Sequence, residues 1–384
     1  MKEKKKVLML LTNPFISDPR VYKEAKSLVK SGYEVTILCW DRQLKHKKKE
    51  KIDGINVERI RLRASYGFKS MIFKLPFFWI KLFFKALKKD FNIVHSHNFD
   101  TAIIGYLLKI FKRKKWVYDS HDLYFTYFLK NCKKTLTYRV IERLDVFLAR
   151  KCDLLLVPTE SLGGKYKGLK NYYKSKGIKN ILTIWNVPII KEFLNYKKIQ
   201  LKKPKGLVIG FIGTIRNIYS LEVLFKALTL LGNKYVLIFV GGGKEADKVK
   251  ELYNKKYSNL RIIFYPEQPY KLIPNYYNIC DVIFSVYKNS KEAKCDLNEK
   301  GAIQTKIFEA AILGIPTIAS DYFLGADFVK KYNCGITINE LKPKILANAI
   351  KSSVRLKINI EKIKKDWNWH NEEEKLLNAY RRLK

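Results

Sequence analysis

The sequence predicts two doubly wound α/β units in tandem, and three observations carry that expectation. Short apolar runs alternate with amphipathic segments along almost the whole chain. The alternation lapses once, in the polar, proline-containing stretch 197–206 (KKIQLKKPKG). The chain also has 384 residues, more than one ordinary core accommodates. Strands of this length separated by helices imply βαβ units, hence mainly parallel sheets covered on both faces. Ligands of such sheets bind outside the carboxyl ends of the strands.

In the first half, strands are expected at Val7–Leu11, Glu34–Trp40, Asn56–Arg61, Ile93–His95, Trp116–Tyr118 and Leu154–Val157, with helices over Pro19–Ser31 and Thr135–Lys151. After the linker the series resumes: Leu207–Ile212, a helix over Ser220–Leu231, Tyr235–Val240, a helix near 244–256, Leu260–Phe264, a helix near 270–278, Val282–Ser285, a helix from Lys306 and Thr317–Ser320. The expected domains are 1–196 and 206–370. A last helix, 371–384, is expected to pack back on the first.

Hydrophobic residues make up 47% of the chain, which excludes wholesale disorder. The six cysteines show no CxxC or other ligand spacing, so neither a disulfide scaffold nor a zinc site is indicated and reduced thiols are expected. The apolar run Val7–Leu11 is too short for a signal peptide and no cleavage site follows, so a cytoplasmic location is expected. The net charge is +41, with 44 Lys and Arg against 17 Asp and Glu in residues 1–200 and 32 against 18 in the rest. Such an excess attracts nucleic acid, an anionic bilayer or a phosphate-bearing substrate. Stretch 67–91 (GFKSMIFKLPFFWIKLFFKALKKDF) mixes aromatics with lysines and contains Pro76, which argues against a spanning helix and for an interfacial one.

The sequence holds its chemistry at strand ends. Gly301, Ala302, Ile303, Gln304 and Thr305 form a small-residue approach to a helix beginning at Lys306 and containing Glu309, followed by Gly314-Ile315-Pro316. Amides at such a helix start suit phosphate, and Glu309 beside Lys306 suits ribose hydroxyls. Asp119-Ser120-His121-Asp122 follows an apolar strand, and His95-Ser96-His97-Asn98 ends the preceding one. An imidazole there can donate or accept a hydrogen bond and change charge near neutral pH. The HxH pair lacks evident third and fourth ligands, so no metal is expected. Asp18 and Pro19 can cap the first helix ahead of Arg20. Asn186 precedes Val187-Pro188 in a corner that a turn alone can explain. Gly213-Thr214-Ile215-Arg216 and Gly241-Gly242-Gly243 follow strands of the second half.

These motifs, in this order and over nearly the whole chain, resemble retaining GT-B-fold glycosyltransferases, in particular glycosyltransferase family 4 (glycosyl transferases group 1). The resemblance implies a GT-B fold, two Rossmann-like doubly wound domains facing an interdomain cleft. It implies a donor site of Gly213, Thr214, Arg216, Gly241, Gly301, Ala302, Ile303, Gln304, Thr305, Lys306 and Glu309. It gives catalytic roles to His121, Asp119, Arg216 and Lys306, and acceptor or cleft positions to Asp18, Arg20, His97 and Asn186. The implied reaction moves a sugar from a nucleoside-diphosphate sugar to a lipid-linked or cell-surface glycan acceptor with retained configuration. No cofactor and no metal are implied, and no nucleic acid partner. The enzyme is expected to sit peripherally on the inner face of the cell membrane, on an anionic surface reached through 67–91. The chain departs from the family pattern at Gly301, where many relatives have a first Glu, and at Tyr219-Ser220, near a usual Lys. Rival readings are a GT-B nucleotide-sugar epimerase, a catalytically silent homologue and a basic nucleic-acid-binding protein.

Overall fold

The computed structural model describes residues 4–16, 18–65, 68–215, 218–286 and 295–383. The chain divides into two compact units. The first contains Met1–Glu160, Leu169–Trp185 and Glu372–Lys384; the second contains Ser161–Gly168 and Asn186–Asn371. The division therefore falls at 185/186, ahead of the polar linker, and a short excursion at Ser161–Gly168 joins the second unit.

The first unit is built on eight strands: β1 (Lys6–Leu11), β2 (Glu34–Asp41), β3 (Lys49–Ile52), β4 (Ile55–Arg61), β5 (Ile93–His97), β6 (Lys115–Asp119), β9 (Leu154–Val157) and β10 (Ile181–Thr183). A small hairpin of β7 (Leu129–Lys130) and β8 (Lys133–Lys134) stands apart. The sheet runs β10-β9-β6-β5-β1-β2-β4-β3, parallel throughout except for β3 against β4. Its central strands are buried on both faces, which is why they read as continuous apolar runs. The chain leaves β1 in one direction for β2 and returns to the other side for β5, so the strand order reverses between β1 and β5.

Helix Pro19–Lys30 begins at Asp18, whose carboxylate accepts from the Val21 amide at 3.1 Å, with proline at the first position. Helix Phe68–Leu87 runs between β4 and β5, Phe99–Lys112 between β5 and β6, and Leu136–Lys151 between β6 and β9. Thr135 caps the last of these by accepting from the Tyr138 amide. The C-terminal helix Trp369–Arg382 contributes its later part to this unit, where Tyr380 is buried and Glu372 accepts from the Trp185 amide at 2.9 Å.

The second unit carries β11 (Leu207–Ile212), β12 (Tyr235–Val240), β13 (Ile262–Tyr265), β14 (Val282–Ser285), β15 (Thr317–Ser320) and β16 (Gly335–Ile338). They form an all-parallel sheet ordered β13-β12-β11-β14-β15-β16. This is the doubly wound 3-2-1-4-5-6 order, with its switch point between β11 and β14. Leu224, Phe225 and Leu228 of helix Ile218–Leu231 and Leu346 and Ile350 of helix Pro343–Ser353 join the sheet's Leu237, Phe239 and Phe284 in one core.

Cys39, Cys152, Cys280 and Cys334 are free thiols. Cys132 and Cys295 are not, so the expectation of uniformly reduced cysteines fails at those two positions. No helix among the described residues is long and apolar enough to cross a membrane.

Candidate active site: the two switch points

At the first unit's switch point the strand ends converge on one carboxylate. Asp119, the last residue of β6, is fully buried and receives a fork from Arg20: Nε donates to Oδ2 at 2.9 Å and Nη2 to Oδ1 at 2.7 Å. A third Arg20 nitrogen donates to the Ile184 carbonyl at 2.6 Å. His121 Nε2 donates to Asp119 Oδ2 at 2.6 Å, and the His121 amide donates to the Asn98 side chain at 3.2 Å. His97 Nδ1 lies 3.3 Å from both Asp119 Oδ2 and His121 Nε2.

Behind them Glu24, one helical turn past Arg20 and 3.2 Å from it, faces His95 Nε2 at 3.8 Å. Tyr380 donates its hydroxyl to His95 Nδ1 at 2.7 Å.

Electrostatics sort these groups. Burial works against ionising Asp119, yet Arg20 and His121 hold it well below the usual carboxylate range. Burial also opposes charging His121, but Asp119 outweighs it and raises the imidazole above its ordinary value. Burial lowers His97 and His95, so both are neutral. Glu24 is pushed up to about 8 by burial and by repulsion from Asp119. The result is a buried Arg–Asp pair that orients one histidine, the most exposed ring of the three, and favours its charged form.

The donor atoms of Glu24, His95, His97 and Asp119 lie within 4.8 Å of one another, a metal-capable set by residue type. The Arg20 guanidinium already meets both carboxylates of that set, so a divalent ion would have to displace it.

The expected acceptor-side residues are thus placed unevenly. Asp18 caps its helix, Arg20 and His97 are buried within the network, and Asn186 belongs to the second unit. Glu24 was not expected, and His95, noted at its strand end with His97, was not given a site role. The spacing of Glu24 four residues after Arg20 was the available signal.

The second unit's switch point is made of backbone rather than charge. Gly213 (φ +128°) directly follows β11 and Gly241 (φ +143°) directly follows β12. A Cβ on Gly241 would stand 2.2 Å from the Gly213 carbonyl oxygen, and one on Gly243 2.5 Å from the Ile215 oxygen. The two loops are therefore pressed together through their main chains, with the Ile215 amide donating to Gly242 at 2.7 Å. Thr214, between them, is exposed.

Lys306 lies beside this corner: its Nζ would be 3.5 Å from a Cβ on Gly213 and stands 4.5 Å from the Phe211 ring centroid. Helix Thr305–Ile312 starts after Gln304, whose side-chain amide oxygen accepts from the Ser285 hydroxyl at the end of β14. Gly301 closes the short helix Leu297–Gly301, and Ala302 accepts from the Gly325 amide. Ile303 is half-buried in the approach to the helix.

Glu309 is buried on this helix and gripped by two tyrosines: Tyr270 donates to Oε1 at 2.9 Å and Tyr277 to Oε2 at 2.8 Å. Neither tyrosine was expected. Arg216 lies outside the described residues.

Residues 192–369 match the family model for glycosyl transferases group 1, and residues 20–175 match that for glycosyltransferase family 4. No curated protein matches the chain at a significant level. Among solved structures it is similar to sucrose-phosphate synthase from Thermosynechococcus elongatus (TM-score 0.75, 16% identity, 99% of each chain covered). It is also similar to Anabaena Alr3699/HepE in complex with UDP and glucose (0.71, 16%, 98% of this chain and 99% of that). The lipopolysaccharide outer core galactosyltransferase WaaB in its apo form is a third (0.63, 14%, 98% and 99%). At such identities the likeness is one of fold. With both units matched in order, each by its own family model, the chain belongs to the group 1, family 4 glycosyltransferases of GT-B fold.

Proposed function

We propose that the protein is a retaining glycosyltransferase that moves a sugar from a nucleoside-diphosphate sugar to a lipid-linked or cell-surface glycan acceptor, working peripherally at an anionic, cytoplasmic membrane surface. The observation that carries the donor half is the Glu309 carboxylate. A carboxylate accepts about four hydrogen bonds. Tyr270 and Tyr277 each donate to one of its oxygens and fix its orientation, so that the helix presents a positioned carboxylate of the kind that accepts from the two hydroxyls of a ribose. The same helix begins beside the glycine corner, where its first amides and the positive end of its dipole favour phosphate.

Lys306, with Arg216 expected from the sequence, neutralises the diphosphate, so the leaving group's charge falls to cations and amides rather than to a metal. Gly241 and Gly213 keep side chains out of the space the phosphates need. The diphosphate then assists attack of the acceptor hydroxyl on the same face of the sugar, and the protein contributes positioning. His121, whose protonated form Asp119 favours, offers a proton-bearing nitrogen to a substrate oxygen.

The solved likenesses crystallised with UDP and glucose, and the lipopolysaccharide galactosyltransferase, support a nucleotide-sugar donor and a surface-glycan acceptor. The lysine-studded helix Phe68–Leu87, which carries no acidic residue, supports the anionic surface.

The test is calorimetric titration of UDP-, GDP- and ADP-sugars into wild type and Glu309→Ala. Losing two hydrogen bonds to a charged group is expected to weaken nucleotide-sugar binding about 100-fold. Unchanged affinity in the variant overturns the donor assignment.

A further inference from the structure

We propose that a second helix, Leu136–Lys151, docks on the anionic bilayer together with Phe68–Leu87; this rests on the membrane reading above and extends it to a surface that the sequence did not single out. In helix Phe68–Leu87 the inner face is Phe78, Leu82 and Ala86, all buried, with Phe78 stacked on Trp40. Its outer face carries Phe73, Phe77, Ile80 and Phe84, spaced one helical turn apart and 55–71% exposed. Helix Leu136–Lys151 repeats the design. Tyr138, Leu148 and Ala149 are buried, whereas Leu136, Val140, Leu144 and Phe147 form an outward stripe 38–79% exposed. An ordinary surface helix turns its apolar side to the core and its polar side to water. Both helices instead carry apolar residues on each side.

Topology places the two stripes on one face of the sheet. From β4 the chain steps to β5, then β6, then β9, always in the same direction along the strand order. Right-handed crossovers lay all three connecting helices on the same side. Ring contacts chain the layer together: Phe83 meets Phe111 of the middle helix at 5.5 Å, and Tyr106 of that helix meets Phe147 at 5.5 Å. Ile110 and Phe111 add exposed apolar surface between the stripes.

Charge selects the occupant. In helix Leu136–Lys151 every exposed charged residue is a cation: Arg139, Arg143, Arg150 and Lys151. Its two acids face inward, Asp145 to the hydroxyls of Tyr118 and Tyr173 and Glu142 to Lys176 and Tyr172. The exposed charges of helix Phe68–Leu87 among the described side chains are Lys74 and Lys81. A face of large apolar side chains interleaved only with cations matches an anionic lipid headgroup layer over acyl chains. A second copy of the same face would repel it.

Co-sedimentation of the full chain with phosphatidylcholine vesicles, with and without phosphatidylglycerol, tests the inference. Wild type is expected to bind the anionic vesicles selectively. Leu144→Ser with Phe147→Ser should weaken that binding about tenfold or more, as should Phe77→Ser with Phe84→Ser. Arg139→Ala with Arg143→Ala should cost about fivefold or more at low salt, a penalty that shrinks as salt rises. All these side chains are exposed, so thermal midpoints and nucleotide-sugar binding should match wild type. If only the Phe77/Phe84 pair matters, the second helix is not a docking element, though the first keeps its role. If the Leu144/Phe147 pair instead abolishes a dimer seen by light scattering without vesicles, the face is a self-association surface and the proposal is overturned. Absence of any anionic-vesicle binding overturns it together with the membrane reading, while the donor assignment stands on its own titration.

Discussion

The two units end the same kind of sheet in opposite ways. Both reverse strand order in the middle, between β1 and β5 in one and between β11 and β14 in the other. At the first reversal the chain stores ionised and titratable side chains that satisfy one another: Arg20 on Asp119, Asp119 on His121, Tyr380 on His95. At the second it stores almost no side chain at all, pressing Gly213, Gly241 and Gly243 backbone to backbone and setting Lys306 and the start of a helix beside them. The first arrangement spends its charge internally and exports one oriented imidazole. The second brings main-chain groups together beside a helix start, where the proposed donor phosphates would lie. A switch point is therefore a place where the fold opens space, and the residues decide whether that space is filled with a proton network or, on the proposed reading, kept for phosphate.

The comparison breaks most sharply at Arg20. Removing the guanidinium strands a buried carboxylate, so Arg20→Ala is expected to destabilise the first unit by about 3–5 kcal/mol, seen as a lowered urea midpoint. Arg20→Lys should recover only part, because one ammonium cannot reproduce the fork. A loss below about 1 kcal/mol would show that the pair is not the keystone of the unit. The counterpart in the second unit is Gly241→Ala. Its new methyl meets the Gly213 oxygen in a backbone conformation that L-residues avoid, so a stability loss of about 2 kcal/mol is expected. Nucleotide-sugar affinity should fall with it, since the corner must open to relieve the clash. Calorimetry that finds normal affinity would mean that the phosphates do not use this corner.

Tyr277→Phe sharpens the same contrast at smaller amplitude. The carboxylate keeps Tyr270 but loses its buried donor, and a single hydrogen bond of about 1 kcal/mol corresponds to roughly fivefold weaker nucleotide-sugar binding. If Glu309 holds ribose, the effect should appear with any base, and a base-selective loss would relocate the tyrosine's role.

How much of this was readable beforehand follows from how local each signal is. The buried central strands β1, β2, β5, β11 and β12 announce themselves as apolar runs, and the Thr305–Ile312 helix is bounded by Gly314 and Pro316. Strand β3 was not expected because Lys49–Ile52 is polar and lies at a sheet edge, and β10 because it has only three residues. β16 begins at Gly335, which reads as a breaker; here a side chain would stand 1.9 Å from the Thr317 carbonyl oxygen, so glycine is what lets the strand pair. At the sites, strand-end residues such as Asp119 and His121 were legible from position alone. Tyr270 and Tyr277 were not, because their partner is more than thirty residues away and only the fold brings it to them. The outward stripe of Leu136–Lys151 was hidden for a different reason: an apolar residue on a helix looks like core until its burial is known.

A last prediction isolates the proton network. Glu24 titrates at about 8 in the folded protein, because burial and Asp119 disfavour its charge, against an ordinary value of 4.5. A raised value means that the folded state holds this proton more tightly than the unfolded state does. Its contribution to stability is therefore complete below pH 4.5 and is lost as pH rises towards 8, at up to about 1.4 kcal/mol per pH unit. Asp119 runs the other way, since its value is depressed: its stabilisation is present above the ordinary carboxylate range and is lost on acidification. His121, raised by Asp119, adds a loss as pH rises through its folded value. Glu24→Gln keeps the shape and removes one titration. Urea midpoints between pH 5 and 8 should fall with pH in wild type and flatten in the variant, while Asp119 continues to set the acid limb. Parallel pH profiles for the two proteins would mean that Glu24 is ionised throughout, balanced by Arg20, and that the first unit's switch point holds one more charge than the geometry indicates.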